Sequence, residues 1–184
     1  MENVQHILTD TIQKAKNGNS EALASLYAQY CKAMYNICVR MIGNRVDAED
    51  VLQEAFIIAF KNLHQLKEAM QFGGWLRRIV VNECIRHSKK QFYFNDWDDT
   101  EHELKTNDAD TDWFTSVDMN LVHQQIKALP DGCRQVFNLY VIENYGHKEI
   151  ANCLGISEST SKSQYHRARQ LLKERITKEM TIYG

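Results

Sequence analysis

The sequence predicts an all-α protein in which two small helical domains are joined by an acidic linker. Three observations carry that expectation. The 184 residues include one proline and 8 glycines, too few turn-forming residues for an all-β sandwich or barrel. Apolar residues recur at steps of three and four over most of the chain, the period of helices with one buried face. Charge is segregated: residues 1–90 carry 12 Lys/Arg against 9 Asp/Glu, residues 91–118 carry 1 against 9, and residues 119–184 carry 9 against 6. The formal net charge of -2 therefore conceals two basic blocks flanking an acidic strip. Each block suits a polyanion that the strip repels.

The balance of 43% hydrophobic and 25% charged residues is that of a packed soluble protein. No apolar run approaches the roughly 18–20 residues of a membrane span, and Met1-Glu2-Asn3-Val4 lacks the basic and apolar regions of a signal peptide, so a cytoplasmic location is expected. The five cysteines (Cys31, Cys38, Cys84, Cys133, Cys153) are odd in number and never spaced C-x-x-C, which points to reduced, mostly buried thiols.

Residues 4–16 read as a short amphipathic helix. Asn19-Ser20 opens a second, along which Leu23, Leu26, Tyr27, Tyr30, Met34, Ile37, Cys38, Met41 and Ile42 trace one face before Gly43-Asn44 stops it. Asp47 is placed to cap a third, whose stripe is Val51, Leu52, Ala55, Phe56, Ala59, Phe60 and Leu63. After a connector over 66–74, a fourth helix is expected beyond Gly73-Gly74, marked by Trp75, Leu76, Ile79, Val80 and Ile85 and running to about Lys90. Residues 91–118 lose this periodicity and gather aspartates and glutamates whose repulsion opposes compaction, hence the linker. Phe92, Tyr93, Phe94 and Trp97 at its start are too aromatic for a purely solvated tether, and suit docking onto the first domain or a partner.

Helical period returns at Leu121, Val122, Ile126 and Leu129, breaks at Pro130-Asp131-Gly132, and resumes at Val136, Phe137, Leu139, Tyr140 and Ile142 until Tyr145-Gly146. A short helix from His147, a turn at Gly155 and a long helix capped by Ser157 then form a helix-turn-helix pattern. Ile150, Ala151 and Leu154 supply the inner face of the first helix, with Ile156 packing beneath the turn. Ala168, Leu171, Leu172 and Ile176 anchor the second. Ser159, Thr160, Lys162, Ser163, His166 and Arg167 lie on its outer N-terminal turns, the part that reaches base edges and phosphates in a major groove. Arg169 stands nearer the packed face, as a phosphate or structural residue. A helical hairpin with a solvated basic face is the plainer alternative.

Two further groupings stand out. On the fourth helix Arg78, Asn82, Arg86 and Lys89/Lys90 form a basic stripe on the face opposite Ile79, extended by Arg77. With Phe72 and Trp75 in the adjoining connector, it suits a nucleic acid whose bases leave the stack. On the third helix Asp50, Gln53 and Glu54 share one face away from Val51 and Phe56; taken alone, they are an ordinary solvated face. Cys84 and His87, three apart, are two ligands and not a metal site, and no catalytic motif is present, so neither cofactor nor enzymatic activity is expected.

In this order, the features resemble the extracytoplasmic-function group of bacterial RNA polymerase sigma factors over nearly the whole chain. Asp47-Ala-Glu-Asp-Val-Leu-Gln-Glu-Ala-Phe56 is similar to the core of the family's region two, which docks on the clamp coiled coil of the polymerase. Gly74-Trp-Leu-Arg-Arg-Ile-Val-Val-Asn82 is similar to the segment that melts and holds the minus-ten element. Leu129-Pro130, Arg134-Gln-Val-Phe137, Glu149-Ile-Ala and Gly155-Ile-Ser157 resemble region four, which reads the minus-thirty-five element. The resemblance implies region two over 1–90, an acidic linker over 91–118 lying in the RNA exit path, and region four over 119–184.

It also implies that Asp50, Gln53 and Glu54 contact core polymerase and that Asn82 holds an extruded base. Lys162, Ser163, His166 and Arg167 become readers of duplex promoter DNA. Ser161 departs from the family pattern, which has an apolar residue there. The chain ends shortly after the recognition helix, so regulation is expected from a separate anti-sigma factor covering these surfaces. The competing expectation is a stand-alone helix-turn-helix regulator that binds duplex DNA without polymerase. A metal-dependent enzyme built on the acidic strip fails for want of ordered ligands.

Overall fold

The computed structural model of the chain describes residues 2–92 and 118–183. The expected linker from Tyr93 onward, including Phe94 and Trp97, lies outside the described residues, as do the side chains of Lys90 and Phe92. All described elements are helical, and the chain divides into two units, Met1–Ser88 and Lys89–Gly184.

The first unit consists of α1 (Glu2–Lys16), α2 (Ser20–Ile42), α3 (Arg45–Lys61), single 3-10 turns at Leu63–Gln65 and Ala69–Gln71, and α4 (Phe72–Phe92). Asn19 caps α2, its side chain accepting from the Ala22 N–H at 2.8 Å. Gly43, at φ 83, ends the helix with its N–H donating to the Val39 carbonyl at 2.9 Å. Asp47 does not cap α3. Asn44 does, accepting from the Val46 N–H at 2.9 Å while its Nδ2 donates to Asp47 at 3.1 Å. An amide can serve both roles at once, and the displaced carboxylate inside the first turn complements the positive end of the helix dipole.

Helices α2 and α3 pack together, and Ala48, Ala55 and Ala59 of α3 are wholly buried; such small side chains let helix backbones approach closely. Helix α4 begins at Phe72, ahead of the two glycines and not beyond them. Phe72 is fully buried, its ring meeting that of Tyr30 edge-on at 5.0 Å. A Cβ at Gly73 would stand 3.2 Å from Tyr30 Cε1. The glycine thus permits close approach of α4 to α2 within a helical turn, and its reading as the end of the connector was misleading. Ile79, expected in the core, is half-buried. The buried side of α4 is Leu76, Val80, Val81, Cys84, Ile85 and Ser88.

The second unit comprises α5 (Met119–Lys127), α6 (Asp131–Phe137), a π turn (Asn138–Ile142), α7 (His147–Leu154) and α8 (Glu158–Tyr183). Its core joins Val122, Ile126, Leu129, Cys133 and Phe137 to Ala168, Leu172 and Ile176 of α8. Arginines close the C-terminal end of α5, where backbone carbonyls have no partner within the helix. Arg134, itself buried, donates to the Leu129 carbonyl at 3.0 Å and the Lys127 carbonyl at 3.3 Å, and pairs with Asp131. Arg175 donates to the Ala128 carbonyl at 2.9 Å.

The helix after Pro130 does not continue regularly to Tyr145-Gly146. It widens at Asn138–Ile142, where the Glu143 N–H reaches the Asn138 carbonyl at 3.0 Å, and Asn144 at φ 60 then takes the left-handed conformation that asparagine tolerates. Leu139 stays wholly buried while Tyr140 turns outward to 37% exposure.

Candidate nucleic-acid interface

The helix-turn-helix is formed by α7 and α8. Ile150, Ala151 and Leu154 are buried, and Gly155 occupies the left-handed region at φ 74, its N–H donating to the Ala151 carbonyl at 2.9 Å. A side chain there would be strained, so the glycine is required by the turn. Ser157 caps α8. Its Oγ accepts from the Thr160 N–H at 2.9 Å and lies 2.7 Å from the hydroxyls of both Ser159 and Thr160. Those two hydroxyls, expected as DNA contacts, are engaged in the cap. Lys162 and Arg167 are exposed, while Ser163 and His166 are half-buried on the same outer side. Lys162 pairs with Glu158 at 2.7 Å, and its ammonium holds that carboxyl below the usual carboxylate range. Ser163 donates to the Thr160 carbonyl at 3.0 Å. Arg169 lies 5.9 Å above the Tyr165 ring, which favours the structural half of its expected role.

The inner side of α8 holds two polar residues that the apolar pattern could not reveal. Ser161 is wholly buried and its Oγ lies 2.9 Å from His147 Nδ1, while buried Gln164 accepts from the Cys133 thiol at 3.0 Å. Burial raises the Cys133 thiol above its ordinary range, so it donates as a neutral group; Arg167 and Arg175 oppose that shift. The only signal in the sequence was the polar residue at Ser161 in place of an apolar one.

On α4, Arg78, Asn82 and Arg86 are exposed and Lys89 is half-buried; the Lys90 side chain lies outside the described residues. Arg77 is exposed but does not extend the stripe, because consecutive helical residues diverge by about 100°. The face opposite the stripe is that of Leu76, Val80 and Cys84, and Ile79 lies beside it. Arg86 is engaged by two carboxylates, Glu83 on its own helix and Glu54 of α3 at 3.5 Å. Phe72 is fully buried against Tyr30 and so is withdrawn from any base stacking, whereas Trp75, 6.1 Å from it, is half-buried.

Asp50, Gln53 and Glu54 are all exposed on α3. The same face carries Val46, 67% exposed, and Ile57, 48% exposed; steps of four, three and four separate Val46, Asp50, Gln53 and Ile57. Exposed apolar residues out of phase with the core stripe were the available signal, and periodicity alone passed over them. Among the described residues no group of three or more His, Cys, Asp or Glu is placed to hold a metal ion. Cys84 is wholly buried. Among the described residues no helix is long and apolar enough to cross a membrane.

The two units match known families separately: residues 26–92 match Sigma-70 region 2, and residues 119–172 match Sigma-70, region 4. Together these define a sigma factor, the subunit that directs RNA polymerase to promoters. The ECF RNA polymerase sigma factor SigW of Bacillus subtilis (strain 168) is 30% identical over 184 residues, covering 94% of this chain and 98% of that protein. SigM of the same organism, also an ECF sigma factor, is 28% identical, covering 80% and 91%. Among solved structures, CnrH in complex with the cytosolic domain of CnrY is similar at 22% identity and a TM-score of 0.47, covering 94% and 97%. The chain belongs to the extracytoplasmic-function sigma factors of RNA polymerase.

Proposed function

We propose that residues 1–90 dock on core RNA polymerase and hold the melted minus-ten strand, that 91–118 tether the two units, and that 119–184 read the duplex minus-thirty-five element. The factor acts in the cytoplasm without catalytic activity of its own, and an anti-sigma factor restrains it. The observation carrying this reading is the conjunction, in one chain, of an outward acidic face on α3 with a helix-turn-helix whose outer side is basic. Carboxylates one turn apart suit arginine forks on a facing helix, and Gln53 donates or accepts between them. Val46 and Ile57 add apolar contact at either end. On α4, Asn82 pairs with the edge of an extruded base, having both donors and an acceptor, while Arg78 and Lys89 supply strand charge. Arg86 does so only when its carboxylate partners let go. On α8, Lys162 and Arg167 contact bases, with Ser163 and His166 beside them, and Ser159 and Thr160 act through the cap.

The test is run-off transcription with bacterial core enzyme on a promoter library. Initiation at specific templates should depend on this chain. Tight, sequence-specific duplex binding without any dependence of initiation on the chain would instead favour a stand-alone regulator.

A further inference from the structure

We propose that His147 and Ser161 form a positioning pair that sets the reading end of α8 against α7, and so fixes which bases Lys162 and Arg167 reach. This rests on the reading of α8 as a DNA-recognition helix. The two halves of α8 are held by different forces. From Ala168 onward the anchors are apolar, namely Ala168, Leu172 and Ile176. Ahead of Ala168, the buried residues of α8 are polar: Ser161, joined to His147 at 2.9 Å, and Gln164, joined to Cys133 at 3.0 Å. Directional bonds fix rotation about the helix axis more tightly than apolar contact does.

His147 is itself held from several sides. Its ring stacks on Tyr140 at 4.4 Å with an interplanar angle of 15°, and Tyr165 lies 5.8 Å away. Tyr165 also meets Tyr140 at 4.6 Å and carries Arg169 over its own ring. Ser161, Tyr165 and Arg169 are spaced four apart, so one column of α8 faces the His147 ring and its stacking partner. Lys162 is the immediate neighbour of Ser161. A small rotation of the column therefore displaces the reader.

The fit depends on the charge of the ring. The ionisable groups around it are Tyr140 from the π turn, Lys148 on its own helix, and Glu158, Lys162 and Tyr165 from α8, with Arg169 beyond. Burial first, and Lys162 second, push the imidazole below its ordinary range, and Glu158 opposes them. The folded arrangement thus favours the neutral ring. It is intact above the ordinary histidine value, near 6.5, and is weakened as pH falls below it.

The test uses the full chain assembled with core RNA polymerase, selecting from a duplex library randomised upstream of a fixed minus-ten element. At about pH 7.5, His147→Ala and Ser161→Ala should each flatten the base preference about tenfold, the size of one base contact. Circular dichroism should show both variants folded. Lowering the pH to about 5.5 should flatten the preference of the parent. His147→Asn, whose amide can replace the ring nitrogen without titrating, should keep at both pH values the preference that the parent shows at the higher one. Any other pH effect is common to all these proteins and cancels in the comparison. Parent-like preference in both alanine variants, or the same pH response in the parent and His147→Asn, overturns the positioning role alone. Absence of any upstream preference in the parent overturns the assignment of α8 as a reader, and this proposal with it.

Discussion

Helices α4 and α8 both follow a turn and both carry cations outward, yet their polar residues are committed in different ways. On α8 the commitments are local: Ser157 gathers Ser159 and Thr160 into the cap, and Lys162 pairs with Glu158 one turn away. On α4 the commitment also crosses between helices, since Arg86, besides Glu83 of its own turn, meets Glu54 of α3, a member of the acidic face. Exposure of a charged residue is therefore not the same as its availability. A cation held by its own turn keeps its place when a neighbouring surface is occupied, whereas one held by another helix is subject to what binds there.

The comparison yields a graded set of expectations. The largest concerns α3: Asp50→Lys combined with Glu54→Lys should leave the chain folded and its duplex preference intact, but reduce core-polymerase affinity by at least about a hundredfold, the order measured for close charge pairs across interfaces. Titration of labelled core enzyme measures this, and unchanged affinity would remove α3 from the docking surface. Next comes Arg167→Ala, expected to cost roughly 1–3 kcal/mol at one base position and to relax specificity there, read from competition between duplexes differing at single pairs. A uniform loss across all sequences would make it a phosphate contact.

Ser157→Ala should lower the stability of the second unit by about 1 kcal/mol, because the Thr160 N–H loses its acceptor; chemical denaturation followed by circular dichroism gives the number. The smallest effect belongs to Glu54→Gln. Arg86 and Glu54 are each about half exposed, and pairs of that kind contribute little, so unfolding should shift by less than about 0.5 kcal/mol. Binding of single-stranded DNA should nonetheless strengthen as one of the two carboxylates holding Arg86 is removed. A large stability change with no gain in strand binding would make the pair a structural clasp.

Periodicity located every described helix because burying one helical face is a local, repetitive requirement, and the stripes of α2, α3 and α8 follow directly from it. It failed where a residue's role depends on what stands opposite. Gly73 looks like the end of the connector but lies under Tyr30, and, within a single turn, Asp47 looks like a cap but yields to Asn44. Tyr140 belongs by spacing to an apolar face, yet the π turn releases it to stack on His147.

The candidate site divides along the same line. The outward placement of Asp50, Gln53, Glu54, Arg78, Asn82, Lys162 and Arg167 follows from being out of phase with the core, which residue order alone can reveal. Which polar groups are already occupied follows from order only where the partner lies within a turn, as Glu158 does for Lys162; elsewhere it is set by distances between chain segments far apart in sequence. The sequence separation of 14 between His147 and Ser161, and that between Glu54 and Arg86, are closed only by packing. Local chemistry thus determined the helices, their caps and their outward faces; tertiary packing decided which of the outward charges and buried hydroxyls are free to act.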